Sequence, residues 1–265
     1  MNLKANSYKL RQDILDIVYH AKGGHIGGDM SVIDTLNVLY NKQMNVTPEN
    51  FHDPDHDRFI LSKGHTVEAL YAVLCQKGFF PREDLKTVSQ YLSKYIGHPN
   101  NKVNGIEMNS GSLGHGLSVA IGMALAGKMD KRDYRVYVVM GDGELAEGSV
   151  WEGAMAGGHY KLDNLCAVID RNRLQISGTT EYVMNPVSYT HLVLENTELP
   201  SGRKTRLPTE QGVKLGIETR QRTSQHGEEY TAVVYSKQAR QFKRSQGMTP
   251  LEFRRKDGDG VGTVE

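Results

Sequence analysis

The stretch at residues 134–176, YRVYVVMGDGELAEGSVWEGAMAGGHYKLDNLCAVIDRNRLQI, constrains the fold more than any other part of the chain. Residues 134–140 are rich in valine and aromatic side chains, the composition of a buried parallel strand. Gly141-Asp142-Gly143 breaks that run, and its two glycines let the backbone turn sharply and approach a ligand closely. Small residues from Gly148 to Gly158 suit a tightly packed helix. Residues 164–170 read as a second strand, ended by Arg171-Asn172-Arg173. In a parallel sheet both strand ends lie on one edge, the edge at which α/β folds bind ligands.

That geometry brings Asp142 and Asn172 together although they are thirty positions apart. One supplies a carboxylate oxygen and the other an amide oxygen. Both are hard ligands, and a backbone carbonyl just beyond Asn172 is a candidate third. Three oxygens leave room for diphosphate oxygens and water around an octahedral Mg²⁺. The plainer alternative makes GDG a turn and Asn172 a loop residue; strands on both sides weigh towards the ligand pair.

The motifs GDGELAEG at 141–148 and VIDRNRLQISG at 168–178 resemble the diphosphate- and metal-binding motif of thiamine-diphosphate enzymes. The form is that of the N-terminal half of transketolase. KGGHIGG at 22–28, LSKGH at 61–65, GHP at 97–99 and GSLGHGLSVAIGMALA at 111–126 agree with it in order. The resemblance covers about residues 5–186. It implies an α/β fold, a parallel sheet flanked by helices of the thiamine-diphosphate-binding kind, incomplete at its C-terminal part. Residues 1–186 would form that domain, and 187–265 an atypical tail.

The activity implied is transfer of a two-carbon ketol unit from a ketose phosphate to an aldose phosphate, with thiamine diphosphate and Mg²⁺ as cofactors. By the same resemblance Asp142, Asn172 and the carbonyl of Leu174 hold the metal. Gly114, Gly141 and Gly143 meet the cofactor with backbone, and His115 contacts it where many members have glutamine. Glu147 belongs to a carboxylate network near the cofactor and the subunit contact. His25, His65 and His98 line the substrate channel, bind sugar hydroxyls and assist proton transfer, for which neutral imidazole is suited. Asp29 replaces the serine common after HxGG. The carboxylate that activates the aminopyrimidine ring comes from a pyrimidine-binding domain that this chain lacks. A separate pyrimidine-binding subunit is therefore the expected partner, in a heterotetramer or a dimer of halves, and the chain alone is expected to be inactive.

Bulk properties are compatible with this. A formal net charge of +1 gives no argument for binding nucleic acid or an anionic membrane. Cys75 and Cys166, the only cysteines, sit in apolar surroundings and read as buried free thiols. No apolar run reaches the roughly 18 residues of a membrane span, and the N-terminus does not read as a signal peptide, so a cytoplasmic enzyme is expected.

Along the chain, Leu10, Ile14, Ile17 and Val18 recur at helical spacing over 7–20. His25 lies between two glycine pairs, a poor place for regular packing. Ser31 with Asp34 predicts a helix cap. Residues 46–57 read as a surface loop, 58–62 as a short strand and 67–77 as a helix. His65, at the strand end, is equally readable as a helix cap or as a functional group. Residues 83–95 read as an amphipathic piece. The glycines at 111–116 open a helix at 117–128, and free N–H groups there predict a diphosphate seat; the dinucleotide spacing GxGxxG and a Walker lysine are both missing.

After Pro186 the units stop. Residues 229–235 read as a strand, and 257–265 as frayed. YSKQARQFKRSQGMTPLEFRRK at 235–256 resembles the end of an AraC-type DNA-binding domain but is too short for two helix-turn-helix units. The tail reads as unrelated sequence joined after about residue 186. Three rivals follow: a non-catalytic truncated or chimeric fragment, another thiamine-diphosphate component such as a deoxyxylulose-phosphate synthase or a dehydrogenase subunit, and a DNA-binding regulator resting on 235–256 alone.

Overall fold

The structure, a computed structural model, describes residues 1–184 and the backbone of two later strands, Ile217–Thr223 and Glu229–Tyr235. The order is α1 (Leu3–Ala21), α2 (Ile26–Val38), β1 (Arg58–Leu61), α3 (Val67–Gln76), α4 (Gly116–Met129), β2 (Val136–Gly141), α5 (Gly148–His159), β3 (Leu165–Asp170), the two-residue strands β4 (Leu174–Gln175) and β5 (Gly178–Thr179), α6 (Thr180–Val183), then β6 (Ile217–Thr223) and β7 (Glu229–Tyr235).

β1, β2 and β3 form a parallel sheet in that order, with Leu61 opposite Val139 and Gly141 opposite Asp170. The period-2 alternation of side chains explains why the strands are apolar throughout. Phe59, Leu61, Tyr137, Val139 and Val168 face a core with Leu10, Ile14 and Ile17 of α1, Val32, Ile33 and Leu36 of α2, and Leu70, Tyr71 and Leu74 of α3. Ile60, Val136, Val138, Met140, Leu165 and Ile169 face the other way, onto Leu117, Ala120, Ile121 and Ala124 of α4 and Val150 of α5. Both faces are covered, as parallel sheets require. The parallel sheet flanked by helices is thus the fold expected from the sequence.

Two local expectations are corrected. Ser31 does not cap a helix: α2 already begins at Ile26, and the Ser31 hydroxyl instead donates to Asp170 Oδ1 at 2.6 Å. Its supposed partner Asp34 is bonded to Ser7 and Arg11 of α1. Residues 83–95 hold no α-helix; a tight 3₁₀ turn at Arg82–Thr87 gives way to turns with Ser89 and Leu92 at positive φ. Only Leu85, Val88 and Tyr95 there are buried apolar side chains, too few for a helical stripe.

Cys75 and Cys166 are free, each partly buried, and burial pushes both thiols up, Cys166 to about 11. Among the described residues no helix is long and apolar enough to cross a membrane. The β6–β7 hairpin is antiparallel, and its second strand coincides with the one read at 229–235. The segment resembling a DNA-binding domain lies, beyond Tyr235, outside the described residues, as does 257–265.

Candidate functional site

All three main strands stop at the same edge, and each hands over to a polar segment: Ser62 to His65 after β1, Asp142 and Gly143 at the end of β2, Arg171 and Asn172 after β3. The Asp142 carboxylate is 2% exposed. Its Oδ1 accepts the N–H of Gly143 at 3.1 Å, and its Oδ2 accepts the N–H of Arg173 at 2.8 Å and the hydroxyl of Thr180 at 3.3 Å. The loop after β3 is thereby folded onto Asp142. Asn172 lies on that loop with its Oδ1 accepting the N–H of Leu174 at 2.9 Å, and the chain then reverses through the β4–β5 hairpin.

The chemistry of this donor set can be matched against Mg²⁺. Asp142 Oδ1 and Asn172 Oδ1 each accept one hydrogen bond and keep a lone pair, and both are hard oxygens. Burial raises the Asp142 carboxyl above its usual range, against the opposing pull of its three donors. A buried anion short of compensation favours a cation beside it. Among the described residues no group of three His, Cys, Asp or Glu side chains forms a metal cluster. Mg²⁺ held by a single carboxylate, neutral oxygens and phosphate needs no such cluster. The residues fit the ion.

The histidines form a second group. His25 stands immediately before α2 and His65 in the turn before α3, with ring centroids 5.2 Å apart in edge-on contact. His98 lies over Gly111, where a Cβ would come 2.7 Å from its Cδ2. Burial lowers the His65 pKa to about 4, helped by the charges of Lys63, His25 and His98, so its ring is neutral at pH 7. Burial and His25 also lower His98. His115 stands apart from this trio: its Nδ1 lies 3.2 Å from Ser112 Oγ and 3.1 Å from the carbonyl of Leu113, turned towards its own loop.

The glycine turn before α4 differs from expectation. Gly114, at φ 85°, gives its N–H to Glu144 at 2.8 Å, and Gly116 gives its N–H to Ser62 at 3.1 Å. Two amides read as free for a diphosphate are therefore already engaged. Glu147 is exposed, with its side chain packed over Gly114.

Sequence reasoning gave no role to four residues, although it noted Asp29 as a departure. Glu144 is 2% exposed and accepts from Ser62, Gly114 and Gly141; burial raises its carboxyl, and these donors oppose the shift. Lys63 and Asp170, 1% and 0% exposed, pair at 2.5 Å between the ends of β1 and β3. Asp29 is fully buried at the start of α2, its Oδ1 accepting the N–H of Ala69 at 3.1 Å while its Oδ2 meets no donor. Burial and neighbouring Glu68, whose Oε2 also lacks a donor, push Asp29 up to about 8. The available signal was position: a charged residue at or just beyond the end of an apolar strand, or directly after a glycine, is placed to be buried.

Comparison with known proteins agrees with this architecture. Residues 4–190 match the family model "Transketolase, thiamine diphosphate binding domain". The chain is 57% identical over 183 residues to an apulose-4-phosphate transketolase subunit of Phocaeicola vulgatus, covering 69% of this chain and 65% of that one. It is 40% identical over 188 residues to the 6-deoxy-6-sulfo-D-fructose transketolase subunit SqwG of a Clostridium species, covering 71% and 68%. Among solved structures, transketolase from Campylobacter jejuni superposes with a TM-score of 0.66 at 34% identity, over 70% of this chain and 31% of that one. The match thus spans just under two thirds of the first of these relatives and under a third of the solved enzyme.

Proposed function

This chain belongs to the transketolase thiamine diphosphate binding domain family, and from that premise we propose that it is the diphosphate- and metal-binding subunit of a two-component transketolase. The reaction is transfer of a two-carbon ketol unit from a ketose phosphate to an aldose phosphate. Kinship to proteins named as transketolase subunits supports a separate partner carrying the pyrimidine-binding half. Apulose 4-phosphate, named for the 57% identical relative, is the first ketose phosphate to try. A cytoplasmic location and an assembly of paired halves belong to the same proposal.

The observation that supports it is the folding of the 171–174 loop onto Asp142 through the N–H of Arg173, with the amide oxygen of Asn172 carried on that same loop. Asp142, Asn172 and the carbonyl of Leu174 would hold Mg²⁺, with Gly141 and Gly143 beside the diphosphate. Bound thiamine diphosphate supplies the nucleophilic carbon and the electron sink for cleaving the bond next to a ketose carbonyl. The chain's own share is positioning and proton handling. Neutral His65, beside His25, can donate to one sugar hydroxyl oxygen and accept from another. His98, on the facing loop, extends the same row towards the substrate. His115 and Glu147 remain at the rim, where Glu147 serves the subunit contact.

Calorimetry of thiamine diphosphate binding, with Mg²⁺ and with or without a pyrimidine-binding subunit, tests the reading. Binding with the partner, abolished by Asp142→Ala or by EDTA, is expected. Equal binding by the Asp142→Ala chain would refute the assigned metal site, and no binding with the partner would refute the function.

A further inference from the structure

Glu144 takes no part in the metal site or the histidine row, yet it accepts as many hydrogen bonds as Asp142, two backbone N–H groups and a hydroxyl, and its donors come from three separate elements. Its Oε1 accepts the N–H of Gly114 at 2.8 Å and the hydroxyl of Ser62, and its Oε2 accepts the N–H of Gly141 at 3.0 Å. The Ser62 oxygen accepts in turn from the N–H of Gly116, the first residue of α4, at 3.1 Å. One buried carboxylate thus ties together the end of β1, the end of β2 and the turn before α4. The turn has no slack: a Cβ at Gly114 would lie 2.7 Å from both Glu147 Cβ and Ser149 Oγ. The Gly114 carbonyl is held as well, accepting from Ser149 Oγ at 2.9 Å.

A glycine turn opening a helix is a ready anion seat, because its N–H groups and the helix dipole converge there. Here the chain supplies the anion itself. We propose that Glu144 is the positioning residue of the cofactor seat: its carboxylate fills the anion position before α4, locks the Gly114 turn against the Gly141–Gly143 loop, and leaves a cofactor phosphate only the metal side at Asp142 and Asn172. The proposal rests on the thiamine diphosphate reading and deepens it.

Two variants dissect the carboxylate. In Glu144→Gln the amide can accept at one end, but its NH₂ then faces an N–H donor at the other. Glu144→Ala leaves all the donors facing a hole large enough for formate. Both are studied in the full chain with a pyrimidine-binding subunit, by hydrogen exchange at the Gly114, Gly116 and Gly141 amides and by thiamine diphosphate calorimetry. Hydrogen bonds to a charged group are strong enough that weakening of about tenfold for Gln and nearer a hundredfold for Ala is expected, with faster exchange. Formate should restore much of the affinity of Glu144→Ala. Ser62→Ala, which removes one donor to Glu144 and the acceptor for the Gly116 N–H but leaves the bonds from Gly114 and Gly141, should give a smaller form of the same defect.

Unchanged amide exchange together with affinities within twofold of wild type overturns the proposal. Lost affinity that formate does not recover overturns the anion assignment, because a merely structural side chain gives no such rescue. Wild type that binds no thiamine diphosphate, while Glu144→Gln still releases the protected amides, sinks the proposed function and leaves the tether standing.

Discussion

Asp29→Asn should stabilise the protein in alkaline solution and leave it unchanged in acid, against the ordinary expectation for removal of a buried carboxylate. Asp29 is fully buried, one of its oxygens lacks a donor, and Glu68 adds a second acid with an orphaned oxygen next to it. Its pKa is about 8 in the folded chain against an ordinary 3.8. The folded state therefore holds the proton more tightly than the unfolded state. The stabilisation is complete below about pH 4, is lost progressively as pH rises towards 8, and is gone above it. A shift of this size corresponds to a ceiling on the order of 5 kcal/mol, at about 1.4 kcal/mol per pH unit.

Asparagine mimics the protonated acid. Its Oδ1 can keep the bond from Ala69, and its Nδ2 supplies a donor where Oδ2 now has none. Urea denaturation of wild type and Asp29→Asn, from pH 5 to 9.5, reads the difference directly, since other titrations cancel between the two chains. The gap should open with rising pH at about 1 kcal/mol per unit and level off beyond pH 8. A gap flat with pH would refute the reasoning, because Asp29 would then be charged, or neutral, in the same proportion folded and unfolded. A variant less stable at pH 9 would refute it more directly.

Lys63→Ala takes the ammonium partner from the buried Asp170 carboxylate, to which the Ser31 hydroxyl still donates, so it should cost about 3–5 kcal/mol, read by thermal unfolding; a loss under 1 kcal/mol would mean that the pair is not formed. The His65 imidazole, lowered to about 4, should show no proton NMR titration between pH 6 and 8, and acidification towards pH 4 should destabilise the chain because the unfolded state takes up that proton first. A midpoint near 6.5 would remove the neutral-histidine argument. Trp151, the single tryptophan, is 40% exposed on α5 beside Met155 at 68%. If the partner subunit covers this face, its fluorescence should shift to the blue on titration with that subunit, and an unchanged spectrum would place the contact elsewhere.

What could be read from sequence was what depends on backbone period and chain order. Valine-rich strands, the glycine break at 141–143 and the distance to Asn172 together fix a βαβ unit, and the unit fixes which residues share an edge. The coming together of Asp142 with the Asn172 loop follows from that alone. Residues 83–95 misled because their spacing resembles a helical stripe, while the buried side chains that would anchor one are too few and the backbone turns at Ser89 and Leu92.

The donors of the Gly114 turn were illegible for a different reason. A motif shows that an amide can be offered to an anion; it does not show which anion arrives first. Glu144 is two residues past Asp142, and whether its side chain enters solvent or turns back beneath the strand ends depends on the short 3₁₀ turn at Gly143–Ala146, which sequence spacing does not reveal. The same holds for Lys63, whose buried charge makes sense only once Asp170 is brought across from β3. Polar residues at such an edge divide into those that face a ligand and those that hold the edge in shape. Telling them apart requires following where each hydrogen bond goes: both carboxylates accept two backbone N–H groups and a hydroxyl, but the donors of Glu144 come from the ends of β1 and β2 and the turn before α4, whereas Asp142 holds the loop that carries Asn172.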